Sequence, residues 1–344
     1  MSATRQPARG RAGYAGFRAV IKAVATGPRG SRDLTFAEAR EATTALLDGE
    51  VSPAQAGAFL IGMRVKGEGA EELAGVAQAL RDRTPTLRDP GGRPLVVSCG
   101  AFDGVADAPP LGLAASICAA AAGAAVVTAC GDRLGPKHGV TPAEVLAALG
   151  GPARPSPRDS EAMLARAGVA LVHAGAALPG WDALAVLRDE IGLRGPIHSA
   201  EKLVDWFGAR RFVVGHTHGG YGPRLLGALA RLGAERAVAV RGIEGSDLLR
   251  PGRPSALGED GPLELPERLG TTLRGDPDPE LAAALTRAVL AGDDDGAARH
   301  AVTLSAAVRL LVAGVVAAPG DGVRRAQAVL SEGRALATLD ALLG

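Results

Sequence analysis

Two strand-to-helix turns, one directly after the other, constrain this chain more than any other feature. Val96-Val97-Ser98 is a β-branched run that feeds Cys99-Gly100-Ala101-Phe102-Asp103-Gly104, and the Leu/Ala run from Leu111 to Ala122 follows Pro109-Pro110. Proline just inside a helix start is well placed, because the first helical N–H has no partner to lose. A second apolar strand, Ala125 to Ala129, enters Cys130-Gly131-Asp132-Arg133-Leu134-Gly135-Pro136-Lys137-His138-Gly139, and Thr141-Pro142-Ala143-Glu144 caps the next helix. Two Gly-rich, basic turns side by side at the carboxyl edge of a sheet form a pocket suited to phosphate.

The flanking sequence extends this unit in both directions. Thr35 stands three residues before Glu38 and starts a helix that Asp48-Gly49-Glu50 stops; Ser52-Pro53-Ala54-Gln55 begins a second, and Ala70 to Arg83 is a third. The spacing predicts a helical subdomain over 33–88, joined by helices around 178–205, with Pro85 to Pro94 as linker and an α/β domain over 93–344. Beyond Ser160 the pattern predicts a helix (Glu161 to Ala167), a strand (Val169 to His173) and a helix (Trp181 to Ile191), then a loop holding Arg194, His198 and Lys202. A strand from Arg211 to Val214, a helix from Arg224 to Leu232 and a strand from Ala237 to Val240 follow. Residues 250–280 read as short irregular strands or loops, and the tail from Pro279 as helical. There the apolar run Leu304 to Ala318, interrupted by Arg309 and ending at Pro319-Gly320, reads as a buried helix. Alternating strands and helices give an α/β fold: a helical N-terminal subdomain plus a mainly parallel sheet flanked by helices.

Composition narrows the partners. Aromatics are only 3% of the residues, which leaves little material for a base-stacking platform. Residues 1–32 carry Arg5, Arg9, Arg11, Arg18, Lys22, Arg29 and Arg32 and no acid, so they form a basic N-terminal arm, either a flexible tail or a contact to a phosphate backbone. Cys99, Cys118 and Cys130 match no zinc or CxxC spacing, which points to reduced thiols and a cytoplasmic setting. No leader pattern and no apolar run long enough to cross a bilayer is found, so no membrane partner is expected.

In the head, Leu47-Asp48-Gly49-Glu50-Val51-Ser52-Pro53-Ala54-Gln55 is followed by Ala58-Phe59-Leu60-Ile61-Gly62-Met63-Arg64-Val65-Lys66-Gly67-Glu68; in the tail stand Leu304-Ser305-Ala306-Ala307 and Ala326 through Leu336. With the order of head, Gly-turn body and Ala-rich tail, these stretches resemble the anthranilate phosphoribosyltransferase (TrpD) family, glycosyltransferase family 3, which shares its fold with the class II nucleoside phosphorylases. The resemblance implies the same fold, a phosphoribosyl pyrophosphate-like ligand, and a homodimer through the helical head. Its motifs have drifted. The family's GTGGD turn is Cys99-Gly100-Ala101-Phe102-Asp103 here, keeping Asp103 and the following Gly104, and its NxST hydroxyls are lost near Pro110-Leu111-Gly112-Leu113. A Phe beside a phosphate cradle adds bulk and removes backbone access. KHGNR aligns with Ala129-Cys130-Gly131-Asp132-Arg133, and SSKSG with Gly135-Pro136-Lys137-His138-Gly139.

The resemblance thus places ligand contacts at Gly100, Asp103, Gly104, Gly131, Arg133, Lys137, Gly139, Arg194, His198 and Lys202. Arg194 matches the Arg of the family's aromatic-acceptor site. The family's metal-holding Asp-Glu pair becomes Asp247-Leu248, so a Mg²⁺ held by Asp247 needs a second oxygen ligand, for which Glu244 is the candidate. Ile197-His198-Ser199-Ala200-Glu201-Lys202-Leu203, with Lys66-Gly67-Glu68-Gly69 and Arg241-Gly242-Ile243-Glu244-Gly245, looks more like the divergent TrpD-like branch typified by YbiB, whose members are thought to bind nucleic acid without anthranilate transfer.

Each residue also has a plainer role open to it. Lys137 and Arg133 suit a surface loop, Asp103 and Asp247 suit turn capping, and His198 and Lys202, one helical turn apart, suit either a solvated helix start or a pair of cationic groups on one face. His216-Thr217-His218 lacks a third metal ligand at useful spacing. Trp181 and Trp206 read as core or interface anchors and His173 as structural. Two functions stay open: a phosphoribosyltransferase-type enzyme whose phosphorylated ribose ligand lies in the interdomain cleft and whose acceptor is not anthranilate, or a non-catalytic nucleic-acid-binding protein.

Overall fold

The computed structural model describes residues 13–266 and 272–344. Its head is built from α1 (Gly13–Ala25), α2 (Phe36–Leu47), α3 (Pro53–Lys66) and α4 (Ala70–Arg81). Thr35 and Ser52 close the capping boxes that the sequence announces: Thr35 Oγ1 accepts from Glu38 N at 3.2 Å while Glu38 Oε2 accepts from Thr35 N at 2.9 Å. The basic arm needs correction. From Gly13 onward the segment is a helix whose Phe17 and Val24 are buried, with Phe17 edge-on to Phe59 at 5.5 Å, because an apolar face beneath the Arg and Lys side chains has a core to enter. Arg5, Arg9 and Arg11 lie outside the described residues.

The sheet contains β1 (Leu95–Cys99), β2 (Ala125–Cys130), β3 (Val169–His173), β4 (Arg211–His216), β5 (Arg236–Arg241), β6 (Ala256–Gly258) and β7 (Gly261–Pro262) in the order β3-β2-β1-β4-β5-β6-β7. The first five strands are parallel and the last two antiparallel. Val97 sits opposite Val127 on one side and Phe212 on the other, so the strand order reverses between β1 and β4. In an open α/β sheet the crevice at the carboxyl ends of such a reversal is where ligands bind.

Around the sheet lie α5 (Gly112–Ala121), α6 (Pro142–Ala148), α7 (Pro157–Ala167), α8 (Ala174–Ala177), α9 (Trp181–Ile191), α10 (Pro196–Ala200), α11 (Tyr221–Arg231), α12 (Pro279–Ala291), α13 (Ala297–Ala313), α14 (Pro319–Ser331) and α15 (Arg334–Leu343). Strand alternation sorts the core into two layers. Val96 joins α5 and α13 on one face, while Val97 joins Phe59, Leu73 and Trp181 of the head-side layer on the other. Helices α9 and α10 belong to that second layer, so the head is continuous with 178–205.

Two further expectations change. The segment holding His198 and Lys202 is not a loop but α10 followed by a 3₁₀ turn, Glu201–Leu203, all of it buried. The Leu304 run belongs to α13, which stops at Gly314 in a left-handed conformation (φ 83°) well before Pro319. No helix among the described residues is long and apolar enough to cross a membrane.

Candidate functional site at the carboxyl edge of the sheet

The turns after β1 and β2 interlock. Val105 N donates to Val140 O at 3.1 Å, Val140 N returns a bond to Val105 O at 2.9 Å, and Gly139 N donates to Asp103 O at 3.0 Å. Gly104 (φ 75°) and Gly139 make this seam possible: a Cβ on Gly104 would lie 2.3 Å from Gly139 O, and one on Gly139 2.5 Å from Val105 N. Gly100 in turn faces the turn after β5, where a Cβ would lie 2.7 Å from Ser246 Cα. Three glycines predicted to touch ligand are thus spent on backbone-to-backbone contact. Gly131 is looser, its nearest neighbour being the indole of Trp181.

Phe102 takes the place of a cradle glycine and points inward, buried, edge-on to Trp181 at 5.4 Å. Its N–H donates to Glu201 Oε1 at 2.9 Å, so this amide already serves a carboxylate. Glu201 also takes Arg188 Nη1 at 2.5 Å, and both side chains are almost fully enclosed. Burial raises the Glu201 carboxyl above its ordinary range, with Arg188 opposing. The pair ties α9 to the first turn; breaking such a pair by removing one partner costs about 3–5 kcal/mol.

Asp103 is fully buried and gathers cations. Arg194 donates to its Oδ2 through Nε at 2.9 Å and Nη2 at 2.7 Å. Lys137 Nζ lies 3.9 Å from Asp103 Oδ1 and 3.4 Å from Glu244 Oε2, and donates to the carbonyls of Glu244, at 3.1 Å, and of Gly104. Burial lowers the Lys137 pKa, with Asp103 and Glu244 opposing. Lys202, buried beneath, donates to Gly215 O at 2.7 Å, and desolvation brings its pKa down to about 8. His198 does not pair with it as a second cation: burial, then Arg188 and Arg194, depress its pKa strongly, so the ring is neutral and its Nδ1 accepts from Gly195 N at 3.2 Å. Arg133 stands apart, half exposed, on Glu144 at 2.7 Å and 3.0 Å.

The expected metal pair is not assembled. Glu244, in a left-handed conformation (φ 52°), caps the turn beyond Val105, accepting from Ala106 N at 2.9 Å and Asp107 N at 2.8 Å. Asp247 Oδ2 accepts from Arg309 Nη2 at 2.6 Å and Ser98 Oγ at 2.7 Å. Each carboxylate therefore has its own cation, Lys137 or Arg309. Among the described residues no group of three or more His, Cys, Asp or Glu is placed to hold a metal ion, and the residues present do not fit a protein-built Mg²⁺ site.

The sequence reading singled out Arg194, Lys137 and Asp103, which the structure brings together. It missed Ser98, Arg188, Glu201 and Arg309 as members of the site. A lone Arg in an otherwise apolar helical run was the one available signal, since such a charge must find a buried partner.

A helical head joined to a mainly parallel sheet, with cations and turns gathered at the strand-order reversal, defines an α/β protein whose candidate site lies at the carboxyl edge of its sheet. The helical bundle domain of a glycosyl transferase family matches residues 18–84, and the a/b domain of that family matches residues 104–336. This chain belongs to that glycosyl transferase family. It is 32% identical over 318 residues to an anthranilate phosphoribosyltransferase of Rubrobacter xylanophilus, covering 89% of this chain and 92% of the relative. It is 36% identical over 343 residues to one of Methylobacterium nodulans, covering 95% and 98%. Among solved structures, the anthranilate phosphoribosyltransferase (TrpD) of Thermus thermophilus superposes with a TM-score of 0.82 at 29% identity, covering 95% of this chain and 98% of that one. The Saccharomyces cerevisiae anthranilate phosphoribosyltransferase in complex with PRPP and Mg shares the fold at a TM-score of 0.77 and 14% identity, covering 96% and 97%.

Proposed function

We propose that this chain binds a phosphorylated ribose ligand of the phosphoribosyl pyrophosphate kind between the helical head and the carboxyl edge of the sheet, and transfers the pentosyl group to an acceptor other than anthranilate. One observation carries the reading: Lys137 and Arg194, from separate segments, converge on the turn after β1, where Asp103 is the shared carboxylate, with Lys202 buried on the Gly215 carbonyl at the end of β4. The PRPP in the yeast neighbour supports the ligand class. Against anthranilate stands the slot beside Arg194, lined by Leu60, Ile61, Ile191 and His198, which measures about 10 Å³.

In the transfer, the bond from the anomeric carbon to pyrophosphate breaks with its electron pair leaving on pyrophosphate; the sugar passes through an oxocarbenium-like state, and the acceptor forms the new bond and gives up a proton. Lys137 and Arg194 stabilise the charge gathering on the leaving pyrophosphate, and no covalent nucleophile is needed. The cavity among Gly100, Gly104, Gly112, Thr128 and Asp247 is about 30 Å³, far below the roughly 300–1,000 Å³ of a small-molecule site, so binding must part the first turn from the Ser246 turn.

The second reading, nucleic-acid binding without transfer, draws on the adjoining cleft of about 950 Å³, whose described lining sets Arg250, Arg253 and Arg274 among Asp107, Glu244 and Asp276. Affinity falling steeply with salt is its mark. The deciding experiment is calorimetric titration with phosphoribosyl pyrophosphate. Wild-type binding that Lys137→Ala weakens roughly tenfold or more supports the transferase site. No binding at millimolar ligand overturns it and turns attention to oligonucleotides.

A further inference from the structure

Asp247 is almost fully buried, at the wall of the small cavity it shares with Gly112 and Thr128. Its Oδ2 receives Arg309 and Ser98, and Gly112 leaves room for its Oδ1, since a Cβ there would lie 2.7 Å from that oxygen. Arg309 reaches it from α13 wholly buried, with Nη1 on the Ser305 carbonyl at 2.9 Å. The next residue, Leu248, is buried hydrocarbon. A hard divalent cation needs several oxygen ligands carrying net negative charge. Here the one carboxylate is already neutralised, its sequence neighbour offers no oxygen, and an incoming Mg²⁺ would face a guanidinium that cannot lose its proton. Glu244 does not repair the deficit, because its oxygens hold the amides of Ala106 and Asp107 beside Lys137.

We propose that Arg309 stands in the metal's place: it keeps Asp247 permanently neutralised, pins the Ser246–Leu248 turn to Ser98 and α5, and leaves recognition of the phosphorylated ligand independent of a protein-held divalent cation. Arg309 is a positioning residue, tying the C-terminal helices to the carboxyl edge of the sheet. The ligand half of the inference rests on the function proposed above, with Lys137 and Arg194 meeting the ligand's charge; the metal half does not.

Two measurements on the full chain separate them. In an electron paramagnetic titration with Mn²⁺ alone, the wild type is expected to bind none up to millimolar metal. An Arg309→Met/Leu248→Glu variant, which removes the cation and restores a second carboxylate, is expected to gain a site at least tenfold tighter. Wild-type Mn²⁺ binding that Asp247→Asn abolishes overturns the inference, and so does a folded double variant that gains no site; should that variant fail to fold by circular dichroism, the wild-type titration decides alone. In calorimetry, wild-type affinity for phosphoribosyl pyrophosphate is expected to be the same within about threefold in EDTA and in excess Mg²⁺. Binding that vanishes in EDTA overturns metal independence. Absence of binding in both buffers overturns the transferase reading instead, while the Mn²⁺ titration still decides the role of Arg309.

Discussion

Lys202 carries an ammonium into the protein interior, held by the Gly215 carbonyl at 2.7 Å, and burial draws its pKa from the ordinary 10.5 to about 8. The sign is opposite to that of a lysine stabilised by a partner. Below about pH 8 both folded and unfolded chains are protonated here, and the folded chain bears the whole desolvation penalty. Between about 8 and 10.5 the folded lysine has released its proton while the unfolded one keeps it, so the contribution of this site to stability rises with pH. Buried thiols act the other way: Cys118 and Cys130 are pushed up from 9.0 to about 12, so their stabilisation is full below about pH 9 and is lost above it. The difference between wild type and Lys202→Met isolates the lysine. Urea unfolding at about pH 7 and pH 9 should show the wild type gaining about 1 kcal/mol relative to the variant over that interval. A difference that stays flat would mean that the ammonium keeps its solvation in the folded chain.

At the scale of elements, the turns explain what the sequence could and could not say. Apolar β-branched runs, capping boxes and Gly-rich breaks act over a few residues, so the strand and helix order and the place of the site were legible. Which partner each side chain meets was not. Asp247 and Arg309 are far apart in the chain, and Glu244 took its left-handed cap because the opposite turn presents the Ala106 and Asp107 amides to it. The glycines show the same divide, since Gly131 and Gly139 look alike in sequence as phosphate-turn residues. In the fold, a Cβ on Gly139 meets the Val105 backbone at 2.5 Å, whereas one on Gly131 meets only the Trp181 side chain at 3.1 Å. Gly139→Ala should therefore cost more than about 2 kcal/mol in chemical unfolding and displace Lys137 from the seam, while Gly131→Ala should cost less than about 1 kcal/mol. Equal costs would mean that the seam yields more easily than its close contacts imply.

At the scale of the whole molecule, the helical head faces two ways. Inward, it shares a core with the sheet and is fastened to it by Arg81, whose guanidinium lies 5.6 Å from the centre of the Phe212 ring on β4, and by Glu201, which accepts from Phe102 N at 2.9 Å. Outward, it leaves Val65 of α3 82% exposed and Val186 of α9 60% exposed, on two helices that pack on each other. A single exposed apolar residue needs no explanation; two on adjoining helices of one layer mark where a two-fold dimer through the head would place its patch. Charge on that patch would then be carried into the interface from both copies at once, without touching either chain's own core. Analytical ultracentrifugation should find the wild type at twice the chain mass and a Val65→Asp/Val186→Asp variant at the chain mass, with circular dichroism and the unfolding midpoint of the isolated protomer retained. A wild type that sediments as a monomer at tens of micromolar would remove the head as the dimer surface. A variant that stays dimeric would move that surface to another face of the molecule.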